Sequence, residues 1–240
     1  RYFGSATVRG GAQGGNGGLV EVSGKNALIF DGRVGLEAAN GRAGTLLLDP
    51  FNITLQAGAG TLDGFLSVPG DPLLAFGEPD NATSGTLNVA SLQAFTSGTV
   101  ELQANNDINV NAAVSMQSGV SLKLAAINNV NVNAGIATSG GGNLRLEADT
   151  DASGAGVVNL GSVTINAPLI AGDLGKEFSG KVNITGNVTF GDSAEAFGKL
   201  TYSTGGLSIA SGKTLTLKGG MDWATTNTIS GPGAITLPTG

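Results

Sequence analysis

The chain has 240 residues, of which 41 are Gly and none are Cys or His; charged residues make up 12 % and the formal charge is −6. Without Cys there are no disulfides or thiolate metal sites, so stability must rest on packing and hydrogen bonding. The 12 basic residues are scattered singly, which argues against nucleic acid and against a polybasic membrane-surface patch, both of which need clustered Lys and Arg. Hydrophobic residues at 40 % are enough to bury a core, so disorder is not expected. No apolar pattern at helical spacing is sustained, and no apolar run is long enough to span a bilayer as a helix.

In chain order, residues 1–18 are Gly-rich and Arg1 does not open a signal peptide. Residues 231–240 are Gly-rich as well, so the chain reads as a mature fragment or one section of a longer protein. Leu19 and Val22 stand in strand-like text. Residues 56–85 break the pattern with Pro69, Pro72 and Pro79 among Gly58, Gly60, Gly64, Gly70 and Gly77. Pro cannot donate to a sheet ladder, so an excursion or lateral hairpin is expected there. Loops of that kind often carry binding specificity, but an ordinary bulge between coils is the better reading.

A repeat follows. Val100-Glu101-Leu102-Gln103-Ala104, Leu122-Lys123-Leu124-Ala125-Ala126 and Leu144-Arg145-Leu146-Glu147-Ala148 recur at a constant offset in sequence number (122 − 100 = 22 and 144 − 122 = 22). The same offset carries Ile108-Asn109-Val110-Asn111-Ala112 onto Val130-Asn131-Val132-Asn133-Ala134. Val163-Thr164-Ile165-Asn166-Ala167 reads as the next copy at a larger offset (163 − 130 = 33), which implies an insertion (33 − 22 = 11) near 149–162. Weaker relatives stand at Val182–Thr185, Val188–Phe190, Leu207–Ile209, Leu215–Leu217 and Ile235–Leu237.

Each block alternates apolar and polar residues, the period of a strand with one buried face. A unit this short cannot hold a βαβ crossover, whereas stacked coils bury the apolar face in one continuous column. The expected fold is therefore all-β, a parallel β-helix or β-solenoid. It should be right-handed as parallel crossovers are, and a single unit over 1–240. About 10 or 11 coils would give a rod on the order of 50 Å. Asn106 and Asn128, Asn109 and Asn131, and Asn111 and Asn133 share positions. Stacked amides can hydrogen-bond from coil to coil, with corner Asn expected to stack and most strand Asn to face out.

Gly17-Gly18-Leu19-Val20-Glu21-Val22-Ser23-Gly24-Lys25, followed by Gly44-Thr45-Leu46-Leu47-Leu48-Asp49-Pro50 and Asn52-Ile53-Thr54-Leu55, resembles the "GGFVETSG … LLDP-x-x-ITI" text of filamentous haemagglutinin-like and high-molecular-weight adhesins, the exoproteins of two-partner secretion. Gln103-Ala104-Asn105-Asn106-Asp107-Ile108 is similar to their "LQA-x-NDI-x-V" repeats. The resemblance covers roughly residues 14–148, with Leu19 and Val22 where Phe and Thr are more usual. It implies a secreted rod on a Gram-negative cell surface, exported by an outer-membrane β-barrel transporter and acting in adhesion, biofilm or contact-dependent interaction. A host or bacterial surface glycan or protein would be the partner. The family's amino-terminal secretion domain is not recognisable in this text.

Candidate chemistry is sparse. A polysaccharide-active solenoid enzyme needs clustered carboxylates, usually with Lys, Arg or His. At the repeat offset Asp107 is followed by Asn129 and Asp151, so at most two carboxylates meet. The chain is therefore expected not to be an enzyme, and no cofactor is implied. Asp149 and Asp151 with nearby carbonyls offer oxygen ligands of the kind Ca²⁺ prefers, but solvated loop carboxylates are the better reading. Asn-x-Ser/Thr sequons make Asn52, Asn81, Asn183 and Asn187 candidate glycosylation sites. Asn81 would be the most accessible, and Asn183 and Asn187 sit in strand-like text. Trp223 and Phe65, Phe76, Phe95, Phe178, Phe190 and Phe197 are expected to pack rather than stack on sugars. Thr214 and Thr216 share a strand face, but Thr does not recur at the offset, so an ice-binding face is poorly supported. Two readings stay open beside the adhesin shaft: a filament subunit that self-associates end to end, and an enzyme.

Overall fold

The computed structural model describes residues 5–21, 33–35, 38–42, 44–47, 51–60, 73–74, 84–93, 95, 98–171, 181–196, 199–219, 221–223 and 228–237. They form an all-β solenoid with three stacked parallel sheets and, among the described residues, one helical turn at Val89–Leu92. Each coil contributes one strand to each sheet in turn. The first coil is Thr99–Ala104 in sheet A, Ile108–Val110 in sheet B and Val114–Ser118 in sheet C. Five more coils follow through Thr228–Ser230, and Ala234–Thr236 adds a further strand to sheet A.

The repeat offset read from the text is the register itself over the first three coils. Val100 pairs Leu122, which pairs Leu144, and Ile108 pairs Val130. Beyond Glu147 the structure corrects the textual alignment. Val130 pairs Val158 (158 − 130 = 28), so the insertion is smaller than the text implies (28 − 22 = 6, in place of 11). Val163–Asn166 is no copy of the sheet B strand; it lies in sheet C, with Ile165 beside Ile136. Coil length therefore varies: it grows where a corner expands and shrinks farther along, where Val182 pairs Leu200 (200 − 182 = 18).

The coil count is also smaller than expected. Among the described residues, six stacked coils at roughly 4.8 Å make a rod on the order of 30 Å. Residues before Thr99 do not simply add coils. Ser5–Thr7 pairs Arg33–Gly35, and Leu19–Glu21 pairs Thr45–Leu47, each pair a two-stranded parallel sheet. Asn52–Gln56 does join sheet B, between Ile108–Val110 and Ser84–Asn88. The later strand, Ser84–Asn88, therefore lies outermost, out of chain order. Within residues 56–85, Leu73–Leu74 also returns to the solenoid, beside Glu101–Leu102 in sheet A; residues 61–72 and 75–83 lie outside the described residues.

From Ser84–Asn88 the chain passes straight into the helical turn. Asn88 Oδ1 accepts the Ala90 N–H at 3.1 Å, satisfying a donor that the first turn leaves free. Leu92 and Phe95 are buried, and the turn lies against Val114–Ser118, the first strand of sheet C. An apolar cover closes that sheet where, among the described residues, no strand precedes.

The core is the column of inward residues. Leu102, Leu124 and Leu146 stack in sheet A, Val110, Val132 and Leu160 in sheet B, and Val114 and Ile136 in sheet C, all buried. Where a coil carries a large ring, its other strands shrink. The coil with Tyr202 has Ala194 and Ala196 in sheet A, and the coil with Phe190 has Ala171. Near-constant volume per layer keeps packing dense without opening the ladder.

Candidate functional site

With the inner face apolar, any function must reside on the outward residues, and the three sheets differ there. Sheet B presents amides. Asn131 Nδ2 donates to Asn109 Oδ1 at 2.9 Å, Asn159 to Asn131 at 2.8 Å and Asn183 to Asn159 at 3.2 Å. Thr54 and then Thr86 extend this column at one end, and Thr201 and then Asp222 at the other. Strand spacing puts successive amides within reach of one another, and the parallel register gives every step the same geometry. Beside it, Asn133 Nδ2 donates to Asn111 Oδ1 at 3.0 Å. Strand Asn thus face out and also stack.

The corner amides stack too. Asn128 Nδ2 donates to Asn106 Oδ1 at 3.3 Å, and Asn106 Nδ2 donates to Asn52 Oδ1 at 2.9 Å. Asp107 Oδ1 accepts the Asn129 N–H and Nδ2 at 2.9 and 3.0 Å, and Asn129 Oδ1 accepts the Val157 N–H at 3.1 Å. Asp151 is therefore not on this column. The insertion carries it into the exposed corner loop, so a single carboxylate, Asp107, occupies the position.

Sheet A carries charge. Lys123 Nζ stands 2.7 Å from Glu101 Oε1 on the preceding coil and 3.2 Å from Glu147 Oε2 on the next. Arg145 Nε also pairs with Glu147, and Gln103 Nε2 donates to Glu101. Ala125, facing outward between Gln103 and Glu147 in register, is fully buried, so these side chains form a roof. Burial alone would depress the Lys123 pKa, but Glu101 first and then Glu147 outweigh it and hold the ammonium above its ordinary value. Farther along, Lys213 Nζ donates to Asp192 Oδ1 at 2.7 Å, and that hydrogen bond holds the Asp192 carboxyl below the usual range.

The corner of residues 148–156 holds a buried carboxylate. Asp149 has no exposed surface, and it accepts the Ser153 hydroxyl at 3.0 Å and the Gly154 N–H at 2.9 Å. Asp151 turns outward and accepts the Ser153 N–H at 3.2 Å. Asp149 and Ala152 adopt φ of 60° and 58°, left-handed values that cost non-Gly residues energy and are held here by the loop's hydrogen bonds. Among the described residues, no three His, Cys, Asp or Glu side chains converge as a metal site would require.

The sequons differ in their surroundings. Asn52 is locked on all sides: its Nδ2 donates to Ser84 Oγ at 2.8 Å, and its Oδ1 accepts from Asn106 and from the Asp107 N–H. Asn183 Nδ2 is the last donor of the amide column. Asn187 is exposed at the corner after Lys181–Ile184, with its Oδ1 on the Gly206 N–H at 2.7 Å. Asn81 lies outside the described residues, as do Phe65, Phe76, Phe178 and Phe197; Phe95 and Phe190 are buried core. Trp223 is on a strand beside Tyr202 in register. Thr214 and Thr216 both face outward on one strand, and Thr164 stacks only on Thr189. Sequence reasoning missed the roof over Ala125 and also Tyr202, which is buried with Oη 2.8 Å from Gly205 O and 2.9 Å from Thr228 O. Glu101, Lys123 and Arg145 fall on one column at the repeat offset, a signal that could have found the first.

Comparison with protein-family models, curated proteins and solved structures gave no match.

Proposed function

We propose that the chain is a length of non-catalytic shaft in a secreted bacterial surface adhesin of the filamentous haemagglutinin type. The observation that carries the reading is the stacking. Like residues register on like across coils, Leu on Leu inside and Asn on Asn outside, so each coil extends the rod by repeating the one before it. A spacer needs that property. The adhesin identity, the Gram-negative cell surface and export by a two-partner secretion transporter rest on the resemblance at Gly17–Lys25, Gly44–Pro50, Asn52–Leu55 and Gln103–Ile108. Its partner would be a host or bacterial surface glycan or protein.

A filament subunit is the second reading, favoured by Met221, Ile229 and Ile235, which point along the core column yet are only partly buried, beside strand edges that could pair again. Immunogold labelling of cells that make the chain tests the first reading: gold on fibres outside the outer membrane is expected, and gold confined to the cytoplasm refutes it. Electron microscopy of the purified chain at several concentrations separates the two. Particles of constant size keep the shaft reading, whereas fibres that lengthen with concentration make assembly the function.

A further inference from the structure

We propose that the outward face of sheet B is a docking surface for an uncharged polysaccharide lying along the solenoid axis. The argument starts from hydrogen-bond capacity. An Asn amide has two N–H donors and two acceptor lone pairs. Within the column, Asn131 and Asn159 each use one donor and one lone pair on their neighbours. Each keeps one of each kind. These point away from the core, because Val130, Val132, Val158 and Leu160 fill the inner side. Asn111 and Asn133 place a second, exposed row about 7 Å away, two positions along the strand. The ladder holds the amides in place before any ligand arrives, so little side-chain entropy is lost on binding.

Charge chooses the class of ligand. The columns are amides and hydroxyls as far as Asp222, which follows Thr201 in register, and Asp107, at their edge, is turned onto two N–H groups of Asn129. Farther along the sheet, Lys199 is paired with Asp222 at 2.6 Å, and Lys181 stands at the margin. An anionic polymer would find no basic stripe among these described columns, and a protein partner would find no aromatic or aliphatic anchor there. A neutral glycan offers what fits: adjacent hydroxyls, each a donor and an acceptor, repeated along a line. The other faces offer no comparable amide ladder, since sheet A is charged at Glu101, Lys123, Arg145, Glu147 and Glu195, and sheet C shows mostly short Thr and Ser side chains. Each ring would bind weakly without an aromatic platform, and affinity would come from many rings engaging successive coils. The proposal rests on the geometry of sheet B and not on the adhesin reading, so either can fail alone.

The test is affinity electrophoresis of the full chain through gels containing dextran, hydroxyethyl cellulose or soluble starch, with heparin and alginate as anionic probes. Retardation by at least one neutral polymer, insensitive to added salt, is expected. The double variant Asn131→Leu, Asn159→Leu should weaken it about tenfold through several lost hydrogen bonds. Thr164→Leu, on sheet C, should change nothing. Should Leu in the ladder disturb folding, Asn133→Ala reads the same face from an exposed position, with an expected loss of about threefold and an unchanged circular-dichroism melt. Retardation by heparin or alginate alone, by no polymer, or equally in all variants overturns the proposal.

Discussion

Replacing Lys123 by Met removes a cation that ties three coils together on sheet A while keeping a stem of similar length. Lys123 contacts Glu101 and Glu147 at 2.7 and 3.2 Å, and the three side chains are 25 %, 16 % and 8 % exposed. Fully exposed pairs contribute about 0.2–1 kcal/mol, and breaking a fully buried pair costs about 3–5 kcal/mol. This intermediate burial, with Arg145 still on Glu147, places the loss at about 2 kcal/mol at neutral pH. The sign of the pH dependence follows from the raised Lys123 pKa. A group with a raised folded pKa stabilises fully below its unfolded value, about 10.4, and loses that contribution as pH rises through the folded value. Wild type should therefore approach the variant in strong alkali, while the Met chain has no such step to lose. Urea titrations followed by far-ultraviolet circular dichroism, near neutrality and above pH ~11, measure the gap. A variant as stable as wild type at neutral pH, or a gap that stays constant into alkali, would show that solvent screens the cluster and refute the reasoning.

Two further substitutions probe the interior and the corner. Tyr202→Phe leaves Gly205 O and Thr228 O without the hydroxyl that joins them, at a cost of about 1–2 kcal/mol; an unchanged thermal melt would mean that another donor serves these carbonyls. Gly156→Ala puts a methyl 2.2 Å from Asn128 O and 2.5 Å from Asp149 N, both backbone atoms. Forced displacement should cost about 1–3 kcal/mol and speed proteolytic nicking within 148–156, and equal nicking rates would show that the loop yields freely.

The solenoid was legible because its coils repeat text as well as shape. Val100, Leu122 and Leu144 can be aligned by eye, and the structure pairs them. The alignment failed at Val163 for a physical reason. All three sheets show the same period-2 pattern, apolar in and polar out, so Val-Thr-Ile-Asn matches any of them and cannot say which. Loop length had to decide, and the loop of 148–156 turns on left-handed Asp149, Ala152 and Gly154, of which Ala152 does not advertise such a conformation. The candidate sites were legible as text only. A sequon is a local triplet, whereas the engagement of Asn52 depends on Ser84 and Asn106, 32 and 54 residues away. The charged roof needed neighbours on both sides at once, because Glu147 meets Lys123 diagonally and not along a column.

Coil length varies at one corner more than elsewhere, and that has a functional consequence. Between sheets B and C the connections stay short, as in 111–113, 133–135, 185–187 and 203–205. Between sheets A and B they are short at 105–107, 127–129 and 218–220 but long at 148–156 and 172–180, the last outside the described residues. A longer loop adds little closure entropy, and a corner loop leaves both flanking ladders in register. Leu146 still pairs Ala171 on one side of this corner, and Leu160 still pairs Ile184 on the other. Added length at this corner therefore leaves the amide column of sheet B unbroken, as Asn131, Asn159 and Asn183 show. The exposed residues of 151–155 stand at the edge of that neutral face. If the chain is the shaft with a docking face proposed above, its specificity would vary at this edge while every coil continues to stack.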